Sequence, residues 1–145
     1  MPCSFFNTML HAFYFPGVVP SVNNLYMTGG KLAGRKVLTK QQRAFRAAVA
    51  SVVKTKRATL QNLVVKIYYR PPDKRRRDVD NYIKAIFDAL TAAGYWIDDA
   101  QVVNVRSCFL ESKKRADAGV YVLVESTDRK TFDDELDNEL SRANK

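Results

Sequence analysis

Two cysteines, one histidine and six glycines among 145 residues leave little material for several common chemistries. Cys3 and Cys108 are too few and too far apart for a zinc site. His11 stands alone, so no serine or cysteine has the partner that a catalytic triad requires. It reads as a structural residue of the first strand. Gly29-Gly30 and Gly34 open on no phosphate-binding helix, and neither a G-x-x-x-x-G-K-[ST] loop nor a dinucleotide-binding glycine fingerprint occurs. Internal repeats and low-complexity linkers are absent too. The start, MPCSFFNTMLHAFYF, is apolar but has no basic segment, is broken by Asn7, Thr8 and His11, and is too short to span a bilayer. Two thiols without a disulfide framework suit a reducing compartment, so a cytoplasmic protein with no membrane partner is expected.

Positive charge is what the chain has in quantity. Its formal net charge is +9, and the excess is uneven. The tail from Thr127 holds six acids against four bases, which leaves nine acids against twenty bases, or +11, over residues 1–126. That excess on one small domain favours a polyanionic partner, nucleic acid first.

Periodicity outlines the fold. Residues 10–19 read as a first strand that ends at Pro16-Gly17 and Pro20, and residues 20–38 as a long loop. Thr39 caps a helix running to about Lys56, with Phe45, Val49, Val52 and Val53 facing inward and Lys40, Arg43, Arg46, Lys54 and Lys56 facing out. Leu60–Tyr69 is β-branched and aromatic, a strand stopped by Pro71-Pro72. Val79, Tyr82, Ile83, Ile86, Phe87 and Leu90 form one helical stripe, and Gly94 terminates it. Strands follow near 102–110 and 119–125, then a short amphipathic helix carrying Phe132, Leu136 and Leu140. The order β-α-β-α-β-β-α predicts a single α+β domain over residues 1–126, a small mixed sheet with helices packed on it. Residues 127–145 form an acidic, helical C-terminal tail.

The chemistry concentrates in Pro72-Asp73-Lys74-Arg75-Arg76-Arg77-Asp78-Val79-Asp80-Asn81 and in Trp96-Ile97-Asp98-Asp99. Four consecutive cations run into a D-x-D-N cluster, and a second carboxylate pair follows. Lys and Arg attract phosphates, whereas clustered Asp repels them unless a divalent cation lies between. Each acid also has a plain structural role. Asp78 can cap the helix, Asp80 can pair with Lys84 four residues on, and Asp98-Asp99 can make a turn. Along the helix, Asp99 starts about 15 residues, or ~22 Å, from Asp78 and Asp80. Only a segment running back along the helix, or a second subunit, would unite them. United, the carboxylates would suit Mg²⁺, which polarises a phosphate and supplies a hydroxide nucleophile. Lys84 could then stabilise the charge developing on phosphorus while Lys74, Arg75, Arg76 and Arg77 hold the flanking backbone.

The stretch PDKRRRDVDNYIKAIFDALTAAGYWIDDAQVV, residues 72–103, resembles the signature of the RusA family of Holliday-junction resolvases. The shared frame is R-D-x-D-N, then K-x-x-x-D-A-L, then G-x-W-x-D-D-x-Q-V. Pro20-Ser21-Val22-Asn23-Asn24 resembles the family's Pro-Ser-Asn-Asn loop with one residue inserted. The resemblance covers about residues 10–125. It implies metal-binding acids at Asp78, Asp80 and Asp99, an essential lysine at Lys84, and junction contacts by Asn23 and Asn24. It also implies a Mg²⁺-dependent homodimer that nicks two symmetric strands of a DNA four-way junction in recombination and repair. Two other readings stay open: a broader nuclease for branched DNA, as in phage DNA processing, and a basic DNA-binding protein whose aspartates are only caps.

Overall fold

The β-branched run after the first helix becomes the centre of the sheet. The computed structural model describes residues 7–24, 26–27 and 37–145; Cys3 and most of the expected 20–38 loop lie outside them. Strand β1 is Thr8–Pro16, β2 Tyr26–Met27, β3 Val37–Leu38, β4 Leu63–Arg70, β5 Val102–Phe109 and β6 Gly119–Ser126. The helices are α1 Lys40–Val53, α2 Ile83–Ala92 and α3 Lys130–Ala143. The main sheet has the order β1-β6-β4-β5, antiparallel except for the β4–β5 pair, while β2 and β3 form a separate two-residue ladder. The expected mixed α+β domain is therefore what forms, with the small β2–β3 ladder as an unforeseen addition.

Alternation sets the layers. Phe13 and Phe15 of β1, Leu63, Val65, Ile67 and Tyr69 of β4, and Val120, Val122 and Val124 of β6 are buried on one face. Phe45, Val49 and Val53 of α1 and Ile86 and Leu90 of α2 cover them in the same core cluster. Burying one such aliphatic side chain is worth about 2 kcal/mol, so this face carries the domain. Tyr14 and Tyr121 lie on the opposite face with ring centroids 4.7 Å apart. His11 is structural as expected: its Nδ1 lies 2.7 Å from the Tyr95 hydroxyl, and burial, then nearby Lys56, lowers its pKa.

Helix boundaries follow local chemistry. Thr39 caps α1, its Oγ1 accepting from Gln42 N at 3.2 Å. Gly94 ends the second helical segment with φ +72°, a conformation that suits glycine. The start of that segment differs from expectation: residues 79–82 form a 3-10 turn, and the α-helix begins at Ile83.

Helix α3 has no buried residue, and Leu136 and Leu140 are more than half exposed. The segment leading to it is tied to the body by Asn62, whose backbone oxygen accepts from Thr127 N at 3.0 Å and whose Oδ1 accepts from Arg129 Nε at 2.9 Å. Deleting residues 130–145 should therefore shift Tm by no more than about 3 °C, the scale of 1 kcal/mol in a domain of this size. Thermal unfolding of the shortened chain checks this, and a loss of cooperative folding would show that α3 holds the core.

Candidate active site

The crossover from β4 to β5 carries every residue of the carboxylate frame. Pro71 and Pro72 are buried where β4 ends, and the chain turns there into the basic segment. Asp73 organises that segment. Arg77 Nη2 lies 2.7 Å from its Oδ1 and Arg75 Nη2 3.1 Å from its Oδ2, while the amide of Arg75 also donates to Oδ1 at 3.0 Å. The hydrogen bonds from Arg75, then Arg77, hold the Asp73 carboxyl well below the usual carboxylate range. Arg77 further donates to the carbonyls of Asp73 and Arg75, both at 3.0 Å. Two of the expected phosphate-holding cations thus brace the loop itself. Lys74 and Arg76 are exposed and carry no ion pair among the described residues.

Two adjoining clefts open beside this loop. One, of about 440 Å³, is lined by Val19, Ser21, Tyr69, Tyr82, Arg75, Arg76, Arg77 and Arg115 among others. The other, of about 420 Å³, is lined by Ser21, Arg76, Arg77, Asp78, Asn81 and Tyr82. Arg115 comes from the 3-10 turn between β5 and β6 and went unnoticed in the sequence, where the run Lys113-Lys114-Arg115 was the only signal. The turn carrying exposed Asn23, Val22–Asn24, packs against the 79–82 turn, so the Pro20–Asn24 loop does meet the carboxylate frame.

The structural roles available to the acids are only partly used. Asp78 occupies the cap position of the 3-10 turn, yet its side chain makes no cap bond; only its carbonyl accepts, from Asn81 N at 3.2 Å. Asp80 is exposed, and no described residue pairs with its carboxylate. The anticipated Asp80–Lys84 pair does not form. Lys84 turns the other way, its Nζ 3.3 Å from Asp88 Oδ2 and 3.5 Å from Oδ1. Asp80 sits in a 3-10 turn of about 3.0 residues per turn, and this takes it off the α-helical ladder that would align it with Lys84.

Asp98 and Asp99 divide the two roles. Asp98 is a true cap: its Oδ1 accepts from Ala100 N at 2.9 Å, and Gln101 completes a capping box. Gln101, buried to 4% exposure, is the hub of this loop. Its Oε1 accepts from the amides of Ile97 and Asp98 at 3.0 and 3.3 Å, while Nε2 donates to the carbonyls of Ala58 and Leu60 at 3.0 and 2.9 Å. Trp96 anchors the same loop, Nε1 donating to Thr91 Oγ1 at 2.7 Å and its ring packed edge-on against Phe87. So held, Asp99 comes within electrostatic reach of Lys84 and Asp88 on α2. Partial burial first, then the hydrogen bond and charge of Asp98 and the charge of Asp88, push its carboxyl up, with Lys84 opposing.

The acids therefore stand in two groups, Asp78 and Asp80 at the turn before α2 and Asp98 and Asp99 alongside its length. Among the described residues, no three acidic, histidine or cysteine side chains are gathered as a metal set. In donor chemistry the acids still fit a hard divalent cation. Asp78 and Asp80 are uncommitted carboxylates, and the crowding of charge at Asp99 is of the kind a cation relieves. No helix among the described residues is long and apolar enough to cross a membrane.

Comparison with known proteins finds relatives in sequence. The family described as endodeoxyribonuclease RusA matches residues 16–125. A crossover junction endodeoxyribonuclease RusA of Escherichia coli strain K12 is 41% identical over 90 residues, covering 60% of this chain and 73% of the relative. The corresponding protein of Enterobacteria phage 82 has the same identity and coverage, and that of Shigella sonnei strain Ss046 is 40% identical over the same length.

Proposed function

Because the chain belongs to the RusA family of endodeoxyribonucleases, we propose that it resolves Holliday junctions as a Mg²⁺-dependent homodimer making paired, symmetric nicks. The observation that carries the reading is the cleft in which Arg76 and Arg77 stand beside Asp78 and Asn81. Cations and an uncommitted carboxylate there border one space, as a metal-bridged phosphate requires. A two-fold homodimer suits the task, since an isologous pair of sites matches a two-fold junction.

In this reading Asp78, Asp80 and Asp99 are the residues that would hold the divalent cation. When bound, that cation polarises the phosphate oxygen and lowers the pKa of an attacking water. The chain's own residues do the rest. Lys74 and Arg76, free of ion pairs among the described residues, neutralise the flanking phosphates, with Arg115 lining the same larger cleft as Arg76 and the loop that carries Asn23 lying beside it. Arg75 and Arg77 keep the segment in shape through Asp73 and add charge without being free to move. Lys84 is held by Asp88 in a defined position, and exchanges that carboxylate for phosphate oxygen as negative charge builds in the transition state. DNA recombination and repair are the processes such an activity serves.

The test is cleavage of a synthetic four-way junction with Mg²⁺ beside a matched linear duplex, with Lys84→Ala as control. Paired symmetric nicks confined to the junction are expected. In Lys84→Ala the single-turnover rate should drop by about 100-fold while junction affinity changes far less, since Lys84 serves the transition state. Cleavage of flaps and forks as fast as junctions would favour the broader branched-DNA nuclease. Binding without cleavage under varied metals and junction sequences would favour the non-catalytic DNA-binding reading.

A further inference from the structure

We propose that Arg46 is a second phosphate-binding cation of the reaction, gripping the scissile strand from α1 across the groove that separates it from Lys84 on α2. The inference rests on the reading that Lys84 belongs to the active site. The groove, of about 290 Å³, is lined by Arg46, Lys84, Asp88, Thr91 and Ala92. That is far more room than the ~30 Å³ of one water molecule. Arg46 lies in mid-helix, one residue after the core residue Phe45, and is half-buried against α2. Its Nε is shielded from solvent and has no hydrogen-bond partner. A shielded guanidinium nitrogen without an acceptor is costly unless something else supplies one.

The obvious internal acceptor does not serve it. Asp88 shares the groove, but its carboxylate is turned to Lys84 Nζ, at 3.3 and 3.5 Å, its shielded Oδ2 makes no hydrogen bond, and no ion pair forms between Asp88 and Arg46. Two cations and one carboxylate line the groove itself, and Asp99 lies within electrostatic reach of Lys84 and Asp88. The loop arginines differ, since Asp73 already neutralises part of Arg75 and Arg77. An anion is the missing partner here, and a guanidinium fork matches two oxygens of one phosphate. The phosphodiester approaching Lys84 is the anion the reaction brings.

Three variants of the full chain test this in single-turnover junction cleavage at saturating protein: Arg46→Gln, Arg46→Ala and Arg46→Lys. Arg46→Gln should slow cleavage by about 100-fold, the usual cost of one lost transition-state donor. Its junction affinity should weaken by less than about tenfold, as one phosphate contact among several. Arg46→Lys, which keeps charge without the fork, should fall between it and wild type. Free guanidinium should restore part of the rate to Arg46→Ala, which a packing role would not permit. A rate within about twofold of wild type for Arg46→Gln overturns the proposal, because a transition-state donor is worth far more than that. So does a slow Arg46→Ala that guanidinium fails to rescue and whose Tm has dropped. Asp80→Asn and Lys84→Ala, run in parallel, separate the two readings. If they abolish cleavage and Arg46→Gln does not, only Arg46 is misassigned; if they too cleave normally, the active-site reading falls and this inference with it.

Discussion

Replacing Asp80 with asparagine is expected to lower junction cleavage by about 1,000-fold or more, ~4 kcal/mol of lost transition-state stabilisation, while junction binding survives. The argument rests on what Asp80 does not do. It lies in the turn before α2, exposed, and no described residue pairs with its carboxylate. A neutral side chain of the same shape therefore removes little that holds the fold together. On the proposed reading, what it removes is an anionic oxygen that would help hold the cation, next in sequence to Asn81, which lines a cleft with Arg76 and Arg77. Binding should tighten, because one repulsive charge near the DNA backbone is gone. Single-turnover cleavage and a junction-binding isotherm, measured on one preparation, separate the two effects. Undiminished cleavage would remove Asp80 from the site.

The second large effect should come from Gln101→Leu, a change of shape so small that only the polar atoms matter. The substitution strands the amides of Ile97 and Asp98 and the carbonyls of Ala58 and Leu60, four groups that Gln101 now satisfies. With some of them relieved by water, the expected loss is about 2–4 kcal/mol. That corresponds to a Tm lower by roughly 5–15 °C in a chain of this length. Cleavage should fall too, even where the variant is folded, because the loop presenting Asp99 loses the side chain that ties it to the segment before β4. Thermal unfolding and cleavage well below Tm report on the two consequences. A Tm within about 2 °C of wild type would mean that water replaces the glutamine fully.

Much of the fold was legible in the sequence because long apolar periodicities have few interpretations. The Phe45–Val49–Val53 and Ile86–Leu90 stripes could only be buried helix faces, and the Val64–Tyr69 run only a strand. Ladders of two residues, such as Tyr26–Met27 with Val37–Leu38, leave no periodic trace. At the site, identities were easier to read than partners. Lys84 has an aspartate four residues away on either side, and pattern alone cannot choose between them. The choice fell to Asp88 because the residues around Asp80 wind as a 3-10 turn. Similarly, Arg46 looked like one of several outward cations until α2 packed alongside it. The ~22 Å estimated between Asp99 and the first acids assumed a helix starting at Val79. With α2 confined to ten residues, about 15 Å long, and Trp96 turning the chain back, Asp99 reaches the stretch of helix between them.

The pairing of β1 with β6 has a consequence for how the protein comes into being. Thr8 is registered with Ser126 and Pro16 with Gly119, so among the described residues the earliest strand finds its one sheet partner in the latest. Until the ribosome has passed Ser126, Phe13 and Phe15 have no neighbouring strand, and the apolar edge of β1 is open to other chains. Contacts so distant along the chain also form slowly. The crossover from β4 towards β5 is translated in between, so its arginines and aspartates are present on the nascent chain before the sheet beneath them can close. Completion of the sheet thus waits on the strand Gly119–Ser126, more than a hundred residues after the strand it pairs with.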